Sequence, residues 1–278
     1  MNIEISAFAF HKIRDYVHRT AGIVIGADKT ALVTGRLWRR LEVTNHPSYE
    51  SYFAYVSSAA GEQERQVMLD LLTTNETYFF REPAHFSFLR DDIIPRQGPQ
   101  KIRIWCAASS TGEEAHSIAM VLGDSLGKCD WEILATDISS KVLEQARKGV
   151  YRAERINHIP HHYLQRFCRR GIGDYEGMLA VVPSLRSRIT FEQHNLLHRR
   201  NDVEQFDVIF LRNVLIYFDK ATKQNVLNNI LRSLRPGGWL ILGHCESVQG
   251  LDVDITVVRP SIYRKADAAS PALKRLAS

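Results

Sequence analysis

Cysteine is scarce and scattered: Cys106, Cys129, Cys168 and Cys245 are the only four in 278 residues, and no two form a C-x-x-C pair. That spacing excludes a zinc ligand set and a disulfide framework, and it fits reduced thiols in a cytoplasm. Long apolar runs are missing too, none nearing the roughly 20 residues that span a bilayer, so no direct membrane insertion is expected. The first nineteen residues, MNIEISAFAFHKIRDYVHR, lack the apolar block and cleavage site of a signal peptide and read as an amphipathic helix. No internal repeat is visible. Also absent is a glycine-rich phosphate loop: Ala107-Ala108-Ser109-Ser110-Thr111-Gly112-Glu113-Glu114 has one glycine where a dinucleotide fingerprint has three.

What is present divides the chain in two. Residues 3–96 carry only helical periodicity, with Phe10, Ile13 and Val17 on one face, Asp28 placed to cap a second helix, Pro47-Ser48 opening a third, and Glu62 to Leu72 forming a fourth. The turn signal Gln97-Gly98-Pro99-Gln100 places a boundary between a helical domain with linker, 1–96, and a second domain, 97–265. There the rhythm becomes alternating strand and helix: strands at Ile102–Cys106, Trp131–Thr136, Ile189–Gln193, Phe206–Leu211 and Gly238–Leu242, and helices at Glu113–Leu126, Ser139–Lys148 and Lys220–Leu234. Such alternation predicts an α/β fold with a mostly parallel sheet. The irregular stretch 150–188 reads as an insertion, with Gly171, Gly173 and Gly177 shaping a small antiparallel β-subdomain over about 160–188. The Ala- and Ser-rich tail, 266–278, reads as mobile.

Ligands in such sheets sit beyond the carboxyl ends of the strands. The first strand empties into the acidic loop above, and the second ends on Asp137, whose carboxylate can accept from two ribose hydroxyls. Two adjacent carboxylates, Glu113 and Glu114, repel a pyrophosphate but suit a cofactor without phosphate. S-adenosylmethionine is therefore favoured over NAD, with a merely helix-capping Asp137 as the plain alternative. Several other residues also have a plain reading. Phe79, Phe80 and Phe218 suit a core, Tyr217 could be a packed strand-end aromatic, and Cys106 reads as a small buried hydrophobe. The density of His158, His161 and His162 does not make a metal site, and no metal is expected. Arg212 leaves an apolar strand, where a charge is costly unless paired, so a salt bridge or a function must explain it.

These segments resemble a known family. Asn75-Glu76-Thr77-Tyr78-Phe79-Phe80-Arg81 looks like the N-x-T-x-F-F-R signature of the CheR chemotaxis receptor methyltransferases, and Ser110-Thr111-Gly112-Glu113-Glu114 their S-T-G-E-E loop. Ala135-Thr136-Asp137-Ile138, Asn195-Leu196-Leu197 and Phe210 to Phe218 follow in the right order, and the similarity runs from about residue 8 to 265. The resemblance implies a class I, Rossmann-like S-adenosylmethionine methyltransferase that esterifies glutamates of bacterial chemoreceptors and releases S-adenosylhomocysteine. It assigns Asn75, Thr77, Arg81, Glu114, Asp137, Asn195, Leu196, Arg212 and Asn213 to the cofactor. Arg81 and Tyr217 are placed near the reacting groups, and Arg81 could hold either the cofactor's carboxylate or the substrate's. A glutamate side chain, which ordinarily titrates at about pH 4.3, is already ionised at neutral pH and needs no general base.

Charge distribution adds candidate partner surfaces. Lys and Arg total 36 against 31 Asp and Glu, yet residues 1–95 hold ten basic against twelve acidic groups, while 141–200 hold twelve against five. On the second helix Lys29, Arg36, Arg39 and Arg40 share an arc distinct from Val33, Leu37, Trp38 and Leu41, which is a candidate dock for an acidic receptor bundle. The glycine-rich insertion resembles the family's subdomain that in some members adds a receptor's acidic, aromatic-ended C-terminal peptide as a strand. A monomer recruited from the cytoplasm to membrane receptor arrays is expected. The basic balance leaves a nucleic-acid methyltransferase as the main rival. However, Arg212-Asn213-Val214-Leu215 lacks the Asn/Asp-Pro-Pro-aromatic loop or cysteine of base methylation. An inactive cofactor-sensing adaptor is the other rival, and no nucleic acid is expected as a partner.

Overall fold

The structure, a computed structural model, describes residues 3–97, 100–126, 130–201 and 205–267. Four helices come first: α1 (Ala7–Ala21), α2 (Thr30–Val43), α3 (Tyr49–Ser57) and α4 (Glu62–Leu72). Ser6 caps α1 by accepting from Ala9 N at 3.1 Å, and α1 ends on Gly22 at φ 73°. Phe10, Ile13 and Val17 are buried together with Val33, Leu37 and Leu41 of α2, Tyr49 and Tyr52 of α3, and Met68 and Leu72 of α4. Two sequence expectations on α2 are corrected. The helix starts at Thr30 without a side-chain cap, because Asp28 spends its carboxylate on Lys29 at 3.0 Å. Trp38, placed with the apolar arc, is 49% exposed.

α5 (Pro83–Phe88) follows, and the chain then enters the sheet domain. Next come β1 (Ile102–Cys106), α6 (Glu113–Ser125), β2 (Trp131–Asp137) and α7 (Ser140–Lys148). The insertion then comprises β3 (Val150–Arg152), α8 (His161–Phe167), β4 (Cys168–Arg170), β5 (Met178–Val181) and α9 (Pro183–Arg186). The chain closes with β6 (Ile189–Gln193), β7 (Phe206–Leu211), α10 (Lys220–Ser233), β8 (Leu234–Leu242), β9 (Ile255–Arg259) and β10 (Ile262–Lys265). The main sheet has the order β6-β2-β1-β7-β8-β10-β9, with β10 antiparallel to both its neighbours. Order reverses between β1 and β7, so the crevice for a ligand opens above those two strands.

Three boundaries differ from the sequence reading. Phe79, Phe86, Leu89 and Ile93 pack into the core of the sheet and not that of the helices, so the helical core closes at Leu72, well before residue 96. The insertion begins earlier than 160, because β3 at Val150–Arg152 supplies one edge of the small sheet β3-β5-β4. The fifth strand of the parallel set starts at Leu234, not Gly238: pairing with β7 jumps from Phe206–Leu234 to Val208–Trp239, so Arg235–Gly238 bulges inside the strand. Gly237 is required there, with φ 67° and a Cβ that would meet Asp267 Oδ1 at 2.3 Å. The β9–β10 hairpin is an addition that the sequence reading did not identify. The expected tail lies almost wholly outside the described residues.

Candidate active site

At the switch point lies an open cleft lined by residues from both domains. The sheet supplies its floor and helical-domain residues Ala21 and Ile23 part of its wall. The two domains are stitched beside it. Val24 N donates to Tyr217 O at 2.8 Å, Asn195 Nδ2 to Thr20 O at 2.7 Å, and Gln66 Nε2 to Ile138 O at 3.0 Å.

The loop after β1 is built to turn sharply beneath the cleft. Ser110 adopts φ 47° and donates its N–H to Asp137 Oδ2 at 2.8 Å, while its hydroxyl donates to Asn75 O at 2.8 Å. Gly112 sits at φ 93° so close to α7 that a Cβ would lie 2.7 Å from Ala146 Cβ. Asp137 is 8% exposed, and its other oxygen accepts from Ser139 N at 3.0 Å. Burial pushes its pKa up, against the pull of the backbone N–H groups of Ser139, Ser110 and Ile138. Glu113 turns away from the cleft, accepting from Thr111 Oγ1 at 2.6 Å and pairing with Arg155 at 3.3 Å.

All ten residues that the sequence reading assigned to cofactor or chemistry line this one cleft: Asn75, Thr77, Arg81, Glu114, Asp137, Asn195, Leu196, Arg212, Asn213 and Tyr217. Their side chains are not equally available. The Arg212 guanidinium is wholly buried, donating to Glu114 Oε2 and Arg81 O at 2.6 Å and to Glu82 Oε2 at 2.9 Å. A salt bridge therefore explains its charge. Glu114 also accepts from Cys106 Sγ at 3.1 Å, and burial pushes that thiol's pKa well up, as expected for an inert cysteine. Asn195 uses its side chain to receive Leu197 N and hold Thr20 O, so Leu196 lines the cleft on a braced loop. Arg81, in contrast, pairs with no carboxylate among the described residues. It donates to Glu76 O at 2.9 Å and lies over the Tyr78 ring at 5.8 Å.

Two residues that the sequence reading did not single out hold this arrangement together. Glu82, at φ 58°, receives Arg212, Asn213 Nδ2 at 3.3 Å and His244 N at 3.1 Å. Burial pushes the pKa of Glu82 up, but Arg212 outweighs it and holds the carboxyl below its usual range. Glu246 accepts from the backbone N–H groups of Gly243, Asn213, Val214 and Leu215 at 2.6–2.8 Å, fixing the loop that carries Tyr217. Neither residue had a signal in the sequence, because the partners each one gathers include some more than thirty residues away.

An acid-rich loop and a buried strand-end aspartate lining a cleft at the switch point of a parallel sheet fit an S-adenosylmethionine-dependent methyltransferase. Residues 75–263 match the family described as "CheR methyltransferase, SAM binding domain", and residues 9–73 match "CheR methyltransferase, all-alpha domain". The chain belongs to the CheR methyltransferase family. It is 39% identical over 257 residues to the chemotaxis protein methyltransferase of Escherichia coli K12, covering 91% of this chain and 89% of that one. It is 40% identical over 263 residues to chemotaxis protein methyltransferase 2 of Pseudomonas aeruginosa, covering 92% of each.

The residues fit S-adenosylmethionine. Asp137 offers a buried acceptor for a ribose, Glu114 a carboxylate for an ammonium, Arg81 a cation for a carboxylate, and Leu196 an apolar face. No helix among the described residues is long and apolar enough to cross a membrane.

Proposed function

We propose that this enzyme methylates glutamate side chains of bacterial chemoreceptors, forming methyl esters. The observation that supports the reading best is that Arg81, which pairs with no carboxylate among the described residues, and Tyr217, whose hydroxyl has no hydrogen-bond partner among them, line the same cleft. A guanidinium without a carboxylate partner and a phenol suit an anionic substrate, which they can align by charge-assisted hydrogen bonds. Bound S-adenosylmethionine supplies an electrophilic methyl group. The residues of the chain orient the carboxylate and exclude water, and alignment and desolvation supply the rate. His194, which also lines the cleft, lies against the Trp105 ring at 5.9 Å, and a substrate already ionised needs no proton removed by it.

The partner is then the acidic cytoplasmic bundle of a chemoreceptor. Of the helix-α2 stripe, Arg39 is exposed beside Trp38, whereas Arg36 and Arg40 are turned to internal partners. Docking through Arg39 and Trp38, action as a monomer, and recruitment to receptor arrays are parts of the same proposal. So is capture of an acidic receptor tail by the small sheet, whose edge strand β4 leaves Arg169 and Arg170 exposed. Labelled S-adenosylmethionine incubated with the enzyme and a receptor cytoplasmic fragment tests the reaction. Base-labile label on the protein is expected. Base-stable label, or label on added nucleic acid, would refute it.

A further inference from the structure

Beside Arg212, and outside the lining of the cofactor cleft, three potential ligands converge. One ligand atom each from Glu82, His85 and His244 lies within 4.8 Å of the other two, and this is the only such group among the described residues. Glu82 Oε2 stands 3.4 Å from His85 Nδ1 and 3.8 Å from His244 Nε2. These separations are close to the roughly 3.4 Å edge of a tetrahedron built on zinc–ligand bonds of about 2.0–2.1 Å.

One buried ring nitrogen of this group is unsatisfied as it stands. His85 Nε2 lies 2.7 Å from Ser261 Oγ, which is also 2.6 Å from Pro260 O. The other ring nitrogen is His85 Nδ1. This atom is fully buried in a side chain only 2% exposed, makes no hydrogen bond, and faces a carboxylate oxygen. The Ser261 bond to the far ring nitrogen is the outer-shell support that a metal-binding histidine commonly has. His244, 53% exposed and edge-on to His85 at 4.9 Å, gives an ion a way in from solvent.

We propose that Glu82, His85 and His244 form a site for a divalent transition-metal ion of the zinc class, and that filling it weakens cofactor binding. Two imidazoles and one carboxylate, with positions left for water, match that borderline chemistry. The coupling follows from Glu82 Oε2, which the ion would share with Arg212. Drawing that oxygen away loosens Arg212, which in turn holds Glu114 at the cleft. Linkage requires the converse as well: bound cofactor must weaken the ion.

Calorimetry with zinc chloride and the full chain tests both parts. The wild type should take up a single tight zinc ion. His244→Ala, which alters a surface ligand and leaves the core intact, should lose that uptake. Ser261→Ala should weaken it by roughly 10–100-fold, and Cys245→Ser should retain it. Saturating zinc should lower the affinity for S-adenosylhomocysteine by about tenfold in the wild type and not in His244→Ala. Equal zinc uptake by the wild type and His244→Ala, loss of uptake in Cys245→Ser, or a homocysteine-product affinity indifferent to zinc would each overturn the proposal.

Discussion

Arg212 shows how one residue's chemistry depends on its surroundings. A guanidinium with no exposed side-chain surface persists because two carboxylates and a carbonyl take its protons. Removing one partner of such a buried pair is costly, because the other charge is left alone. Asp137 is the complementary case: each of its oxygens already receives a backbone N–H, and the remaining lone pairs can receive a ribose. Asp137→Ala should weaken S-adenosylmethionine and S-adenosylhomocysteine alike by about 1–3 kcal/mol, since the ribose is common to both. Calorimetry reads this directly, and undiminished affinity for both would remove Asp137 from the site. At this scale the sequence was informative where a motif names its own atoms. The strand-end aspartate and the acidic loop are local features, and so is Arg212 as a charge in an apolar strand. Its partner Glu82 was not, because the pair is separated by 130 positions and only the fold closes that distance.

At the scale of an element, helix α2 is the instructive one. Its heptad-like spacing correctly turned Val33, Leu37 and Leu41 inward, but a helical wheel does not say what lies alongside the other arcs. α4 does: Arg40 forms a two-pronged pair with Glu64 at 2.6 and 2.8 Å, and Tyr52 donates to the same carboxylate at 2.8 Å. Arg36 donates to the carbonyls of Leu72 and Thr73, closing the C-terminus of α4. These contacts separate two variants that the sequence alone would treat as equivalent. Arg40→Ala should lower the unfolding free energy by roughly 3 kcal/mol, since Glu64 is left buried and unpaired. Arg39→Glu should leave it within about 0.5 kcal/mol. Only the second should raise the KM for receptor without touching cofactor affinity, an effect that shrinks with added salt. Denaturant melts and receptor kinetics at two ionic strengths check both, and unchanged kinetics for Arg39→Glu at low salt would return this face to plain solvation. The Tyr217 loop rests on a comparable anchor. Glu246→Ala leaves four backbone donors unmatched, so activity should fall far more than receptor affinity does.

In the whole molecule the helical domain and the sheet line one cleft, and the insertion bears on the loop beneath it. The insertion is wired to the cofactor loop: Tyr151 of β3 donates to Thr111 O at 2.8 Å, and Arg155 bridges to Glu113. Its other end presents β4, paired only with β5, with Arg169 and Arg170 exposed and Ile172 and Tyr175 84% and 66% exposed beyond it. An extended peptide can pair with that open edge, its acidic groups meeting the arginines and an aromatic side chain the apolar pair. If such a peptide ends a receptor, the tether raises the enzyme's local concentration at the glutamates. The three glycines named from the sequence are not equivalent in testing this. Gly173 and Gly177 have positive φ but open space around them, whereas a Cβ on Gly171 would come within 1.9 Å of Tyr175 O. Gly171→Val should therefore distort the turn that sets the β4 edge and abolish peptide binding. Gly173→Ala, burdened only by its left-handed backbone, should cost about 1–2 kcal/mol of local stability and keep most of the affinity. Titrating acidic pentapeptides with an aromatic last residue into the three proteins distinguishes these outcomes. Binding that survives Gly171→Val would move the peptide to another edge, and silence from the wild type with every such peptide would leave the insertion as a brace for the Thr111 loop alone.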